Sequence, residues 1–253
     1  MLLKPIYSPL LLFILLFFFL ATNAQNKKIV LLIGQSNMAG RAHLLAVDST
    51  TVEGVELLNS EGQWMPARNP LNQYSSIRKD IGMQRLGPGW SFAKHLSKKK
   101  DFNTLGLVVN AKGGSAINEW MPGTEFYSEA VRRTKQAIEQ GGELVGIAWH
   151  QGESDVKDMS HYLADLEVLI NSLRKEFNNQ TLPFVAGQII GNNPGRAAFN
   201  GLILSLPEKV PHTAVVASKG LKVFDGVHFD NKSQKKLGKR YAKAFLKLVK
   251  QGN

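Results

Sequence analysis

The chain has 253 residues, a formal net charge of +11 and no cysteine, which excludes a disulfide framework, thiolate chemistry and sulfur-ligated metal sites. The length allows one domain with a substantial core. The positive charge gathers at one end, with eight Lys or Arg and no acid between Lys232 and Lys250.

The first segment, "MLLKPIYSPLLLFILLFFFLATNA", carries Lys4, an apolar run from Leu10 to Ala21 and small residues at Thr22 and Ala24. Charge, apolar run and small residues in that order predict a signal peptide over residues 1–24 and an exported protein, periplasmic or extracellular. The run has 12 residues, short of the roughly 20 of a membrane span, so no stable insertion is expected after its removal. A retained N-terminal anchor is the alternative. Residues 25–253 then form a single domain.

Apolar, β-rich runs recur at 29–33, 104–109, 144–149, 183–190 and 213–217. Helical periodicity fills 89–99, 126–140, 159–177, about 196–206 and 233–250. Alternating strands and helices predict an α/β fold, a parallel sheet of about five strands with helices on both faces. The connection 40–88 has little periodicity and reads as a long functional loop. In the last helix Leu237, Tyr241, Phe245, Leu248 and Val249 share one face, and the basic residues form a solvated outer face. No aromatic residue interleaves with the lysines there, which speaks against nucleic acid as a partner.

In such sheets chemistry sits beyond the carboxyl ends of the strands. The first strand runs into "GQSNMAG" (34–40), the second into "NAKGGSAINEW" (110–120) and the third into "HQGESD" (150–155); past the fifth comes "FDGVHFD" (224–230). Ser36 is a candidate nucleophile that needs a base held by a third group. Asp225 and His228, three residues apart in a glycine-containing turn, supply such a pair. Gly113, Gly114, the Ser36 N–H and the Gln151 amide are candidate oxyanion donors. A G-x-S-x-G elbow is disfavoured, because Met38 stands where its second glycine belongs.

These four blocks, "GQSNMAGR", "GGSAINEW", "WHQGESD" and "DGVH", resemble the SGNH hydrolase superfamily. Within it they are similar to the carbohydrate-esterase branch of acetylxylan esterases and sialate O-acetylesterase-like proteins. The matching blocks span residues 34–228. The resemblance implies a three-layer α/β/α, flavodoxin-like sandwich and a serine esterase with no metal and no cofactor. It implies removal of O-acetyl groups from carbohydrate, with Ser36 as nucleophile, His228 as base and Asp225 as its partner. Gln151 stands where the superfamily usually has asparagine, and Glu153 matches an acid implicated as a second support for the histidine. Whether Asp225, Glu153 or both hold His228, and which glycine donates, stays open.

Trp120 and Trp149 are candidate walls for a sugar, with packing in the core as the equal alternative. Arg41 and Arg85 are candidate contacts to an anionic sugar. His150 with Glu153 suggests a metal pair, but no further cluster in the sequence completes a site. His43, His95, His161 and His212 read as surface or loop residues. A non-catalytic carbohydrate-binding protein on the same fold is the competing reading, and the serine, histidine and acid set argues against it. The sequence is silent on oligomeric state.

Overall fold

The computed structural model describes residues 27–252, with side chains described through Lys250. The expected signal peptide therefore lies outside the described residues. No helix among the described residues is long and apolar enough to cross a membrane.

One sheet organises the chain. Its strands are β1 (Lys28–Gly34), β2 (Val55–Leu58), β3 (Trp64–Pro66), β4 (Leu105–Ala111), β5 (Glu143–His150), β6 (Phe184–Gly187) and β7 (Thr213–Val216). They lie in the order β3-β2-β4-β1-β5-β6-β7. Every neighbouring pair is parallel except β2 with β3. The sheet thus has seven strands, where about five were expected. The additional pair is a short antiparallel hairpin inside 40–88, which corrects the reading of that segment as loop. Asn59 Oδ1 closes its turn by accepting from the Glu61 and Gln63 amides at 3.0 and 2.8 Å.

Strand residues alternate between two cores, because successive side chains leave opposite faces. Val30 and Leu32 of β1 join Leu105, Leu107 and Val109 of β4 under α2 (Pro88–Leu96) and α7 (Asn231–Gly252). Ile29, Leu31 and Ile33 face the other way, toward α3 (Glu125–Glu139), α4 (Tyr162–Glu176) and α5 (Pro194–Leu204). Two single-turn helices, α1 (Ser36–Ala39) and α6 (Leu206–Lys209), complete the set. The fold is the expected three-layer α/β/α sandwich.

On the α2/α7 face, Phe245 meets Phe92 edge-on at 5.6 Å and Phe102 at 6.1 Å. On the opposite face, buried Arg133 of α3 donates to the Leu58 and Asn59 carbonyls at 2.9 and 3.3 Å. Those bonds seat the hairpin against the helix layer. Burial holds the Arg133 guanidinium down at about 10.

The strand order places the site. β1 lies between β4 and β5, so the chain leaves it to one side and later returns to the other. Such a reversal opens a crevice beyond the carboxyl end of the central strand. In this chain that end is Gly34–Gln35–Ser36.

Candidate active site

Gly34 ends β1 at φ +132°, and a Cβ there would stand 2.2 Å from the His150 carbonyl oxygen. Only glycine allows β1 to run this close to the end of β5. The Gln35 amide then donates to that same carbonyl at 2.8 Å, and the chain turns into α1 at Ser36. Ser36 Oγ lies 2.9 Å from His228 Nε2, a residue 192 positions away.

His228 is held by its own turn. Its Nδ1 lies 2.6 Å from Asp225 Oδ2, while Asp225 Oδ1 accepts from the Val227 and His228 amides at 3.0 and 2.7 Å. Partial burial pushes the Asp225 carboxyl up. The hydrogen bonds from His228 and the two amides outweigh it and hold the group below the usual carboxylate range. The turn is anchored from outside by Arg196 Nη1 and Asn192 Nδ2, which donate to the Gly226 carbonyl at 2.6 and 3.0 Å.

Asn37, fully buried, grips both sides of His228. Its Nδ2 donates to the Val227 carbonyl at 3.3 Å and its Oδ1 accepts from the Phe229 amide at 3.0 Å. The same Nδ2 donates to Glu153 Oε1 at 2.5 Å. Glu153 therefore reaches His228 through Asn37, with no direct hydrogen bond to the imidazole. Burial pushes the Glu153 carboxyl up, and the bonds from Asn37 and its own amide and the fields of His228 and Arg196 only partly offset that.

A family profile described as carbohydrate esterase, sialic acid-specific acetylesterase matches residues 26–247. The chain belongs to this family. It is 31% identical over 244 residues to the probable carbohydrate esterase At4g34215 of Arabidopsis thaliana, covering 87% of this chain and 90% of that protein. The crystal structure of that Arabidopsis protein superposes with a TM-score of 0.80 at 29% identity, over 88% of this chain and 98% of the other. NanS shares the fold at a TM-score of 0.69 and 14% identity, with 89% and 98% covered. A carbohydrate acetylesterase of Xanthomonas citri shares it at 0.67 and 20%, with 88% and 56% covered. Family membership supports a carboxylic ester hydrolase.

In this member of the carbohydrate esterases, the loop after β4 lies against Ser36. The position of a Cβ on Gly113 is 3.7 Å from Ser36 Cβ and 2.3 Å from Arg41 Nη2. Arg41 is thus beside the serine, where burial lowers its pKa. Lys79 Nζ lies 3.5 Å from the corresponding point on Gly114. The backbone amides of Ser36, Gly113 and Gly114 donate to no acceptor among the described residues.

Gln151 and the two tryptophans require correction. Gln151 is fully buried, and its Nε2 donates to Gln35 Oε1 at 3.1 Å, to the Ser115 carbonyl at 2.8 Å and to Asp155. An amide has two N–H protons, so none is left for an oxyanion. The residue braces three loops together. Trp120 and Trp149 are both at 0% exposure, edge-to-face at 5.3 Å, and wall no pocket. Their indole N–H groups bond to Ser115 Oγ and Tyr162 Oη, which supports the second and third blocks from below. Arg85 is exposed and contributes its backbone, donating to the Gly40 carbonyl at 3.1 Å. His150 is buried with Nδ1 3.0 Å from Tyr241 Oη.

Several site residues were not singled out from sequence. Asn72 accepts from the Ala111 amide and donates to its carbonyl, at 2.9 and 3.0 Å, fixing the strand that delivers Gly113. Gln84 links Asn72 to Arg41, accepting at 2.9 and 3.5 Å. Phe224, 57% exposed, stacks on the His228 ring at 6.0 Å. An aromatic next to "DGVH" was the available signal for Phe224. Asn72, Gln84 and Lys79 sit in a segment without periodicity and carried none.

Proposed function

We propose that this protein is an exported serine esterase that removes O-acetyl groups from carbohydrate through an acyl-enzyme on Ser36. The observation that carries the reading is the continuous relay Ser36 Oγ to His228 Nε2 at 2.9 Å and His228 Nδ1 to Asp225 Oδ2 at 2.6 Å. His228 Nε2 takes the Ser36 proton as Oγ attacks the acetyl carbonyl. Asp225 accepts the Nδ1–H bond throughout and stabilises the imidazolium. The amides of Ser36, Gly113 and Gly114 receive the negative charge on the carbonyl oxygen, each such donor being worth about 3–4 kcal/mol.

Collapse of the tetrahedral intermediate breaks the ester C–O bond, and His228 returns its proton to the departing sugar hydroxyl. Water then attacks the acetyl-serine under the same base. Acetate leaves and Ser36 regains its proton. Asp225, held below the usual range, stays ionised wherever His228 is neutral enough to act as base. Arg41 and Lys79 put positive charge beside the glycine loop, which favours the oxyanion and an acidic sugar alike.

The test is acetate release from an aryl acetate, from acetylated xylan and from O-acetylated sialic acid. Ser36→Ala should lose about a million-fold in kcat, to background. A folded wild-type protein that releases no acetate from any of them overturns the esterase reading and favours the binding-protein alternative. Export is checked by the mass of the secreted chain, expected to begin at Gln25; a chain that keeps residues 1–24 contradicts it.

A further inference from the structure

The basic face of α7 is exposed, and at one point it meets lysines of a second element. Lys235 and Lys239 of α7 meet Lys94 of α2 and Lys98 just beyond it around one cavity of about 350 Å³, with His95 on its wall. The two helices touch where Gly238 faces α2: a Cβ there would lie 2.2 Å from the Pro88 carbonyl oxygen. Ser91 Oγ donates to the Lys235 carbonyl at 2.5 Å across the same contact. This close approach brings lysines of separate elements onto a common rim, a convergence that spacing along either helix does not reveal.

Four lysine side chains line the cavity, their apolar stems making most of its wall. Trp90 forms its floor, with Lys94 Nζ 4.8 Å and Lys235 Nζ 5.8 Å from the ring centroid. No carboxylate lines it. Buried Asp48 is taken by Lys235 at 2.5 Å and by Asn231 Nδ2 at 2.7 Å, and Glu53 shares a neighbouring groove with Lys94 and Lys98 without pairing with either. Lys94, Lys98 and Lys239 have no carboxylate partner among the described residues. Ammonium groups without a carboxylate partner are open to a bound anion.

We infer that this cavity is a second carbohydrate site, one that anchors a carboxylate-bearing saccharide where α2 meets α7. The inference takes the saccharide class from the proposed esterase function; the anionic requirement comes from the lysines. A concave volume of this size fits a short saccharide, with lysine stems as apolar walls and ammonium groups at the mouth as the specifying contacts. Trp90 is only 5% exposed, so it offers no face on which nucleic-acid bases could stack. A flat lipid surface does not enter a cavity. Two contacts link the cavity to the turn that carries His228: Asn231, three residues after His228, donates to Asp48, and Asp48 pairs with Lys235. From Asn231 to Lys239 the helix rises about 12 Å.

Titration calorimetry on the mature chain tests this, using trigalacturonate, sialyllactose, xylotriose, a DNA duplex and anionic phospholipid vesicles. The comparison is the triple variant Lys94→Gln/Lys98→Gln/Lys239→Gln, which spares Lys235 and so leaves Asp48 paired. Trigalacturonate or sialyllactose should bind saturably, at least about tenfold more weakly to the variant and with a flatter salt dependence. Which of the two binds tells a uronate source from a sialate one. Aryl-acetate turnover should be unchanged in the variant. No saturable binding of either acidic saccharide, or binding that the triple variant leaves intact, overturns the inference. Equal or tighter binding of xylotriose, duplex or vesicles overturns the assigned ligand class. Turnover failing while saccharide binding persists sinks the esterase reading alone.

Discussion

At the scale of single residues, the two acids differ in what each touches. Asp225 contacts the imidazole; Glu153 contacts Asn37. Asp225→Asn should therefore cost about 10²- to 10⁴-fold in kcat, the range for a working acid–base group. Glu153→Gln keeps an acceptor for Asn37 and should cost about tenfold or less. Steady-state kinetics on an aryl acetate compare the two, and equal losses would show that Glu153 acts on the histidine as strongly as Asp225. Asn37→Ala removes the clamp on the Val227 carbonyl and the Phe229 amide. Its expected signature is a kcat lowered by about 10²-fold with KM within about twofold, and a displaced acid limb in the pH profile. A folded variant with an unchanged profile would reduce Asn37 to a structural role.

Among elements, α7 does two things with two faces. Its inner face carries Phe245, at 0% exposure and edge-on to Phe92 of α2. Phe245→Ala should lower the unfolding free energy by about 3–5 kcal/mol through lost burial and the cavity left behind. Urea unfolding should show a lower midpoint with an unchanged slope. A loss below about 1 kcal/mol would mean that the α2/α7 interface collapses to refill the space. The periodicity of α7 was legible in sequence because a surface helix repeats its apolar residues on one stripe. The β2/β3 hairpin was not, since β2 has four residues and β3 three, too few for alternation to stand out.

For the whole molecule, the buried groups under the site give the fold a pH dependence. Burial pushes His150 from 6.5 down to about 3. Below pH 6.5 the unfolded chain takes up a proton there and the folded chain does not. The contribution of His150 is thus complete above 6.5 and is lost as pH falls toward 3, by at most about 1.4 kcal/mol per pH unit. Glu153 acts in the opposite sense: its raised pKa makes its ionisation cost stability as pH rises from 4.5. His150→Phe keeps a ring against Phe229 and Tyr241, 5.8 and 6.2 Å away, and removes one titration. Between pH 7 and 5 the wild-type melting temperature should fall relative to that variant. Parallel curves would show that His150 is protonated in the folded state.

The sequence by itself determined the strand–helix alternation, the layer arrangement and the four blocks at the strand ends. Apolar periodicity and turn residues are local properties, and Asp225 and His228 lie in a single turn. It also carried the family resemblance, because those blocks recur in order. The tertiary structure decided which polar side chains are free to act. Gln151 and the two tryptophans sit in blocks that read as site, yet burial and committed hydrogen bonds make them supports. Asn37 became a clamp only when His228 arrived from 192 residues away, and the lysines became a pocket only when α2 met α7. Hydrogen-bond satisfaction and charge convergence depend on distances between elements, and a one-dimensional pattern holds no record of those.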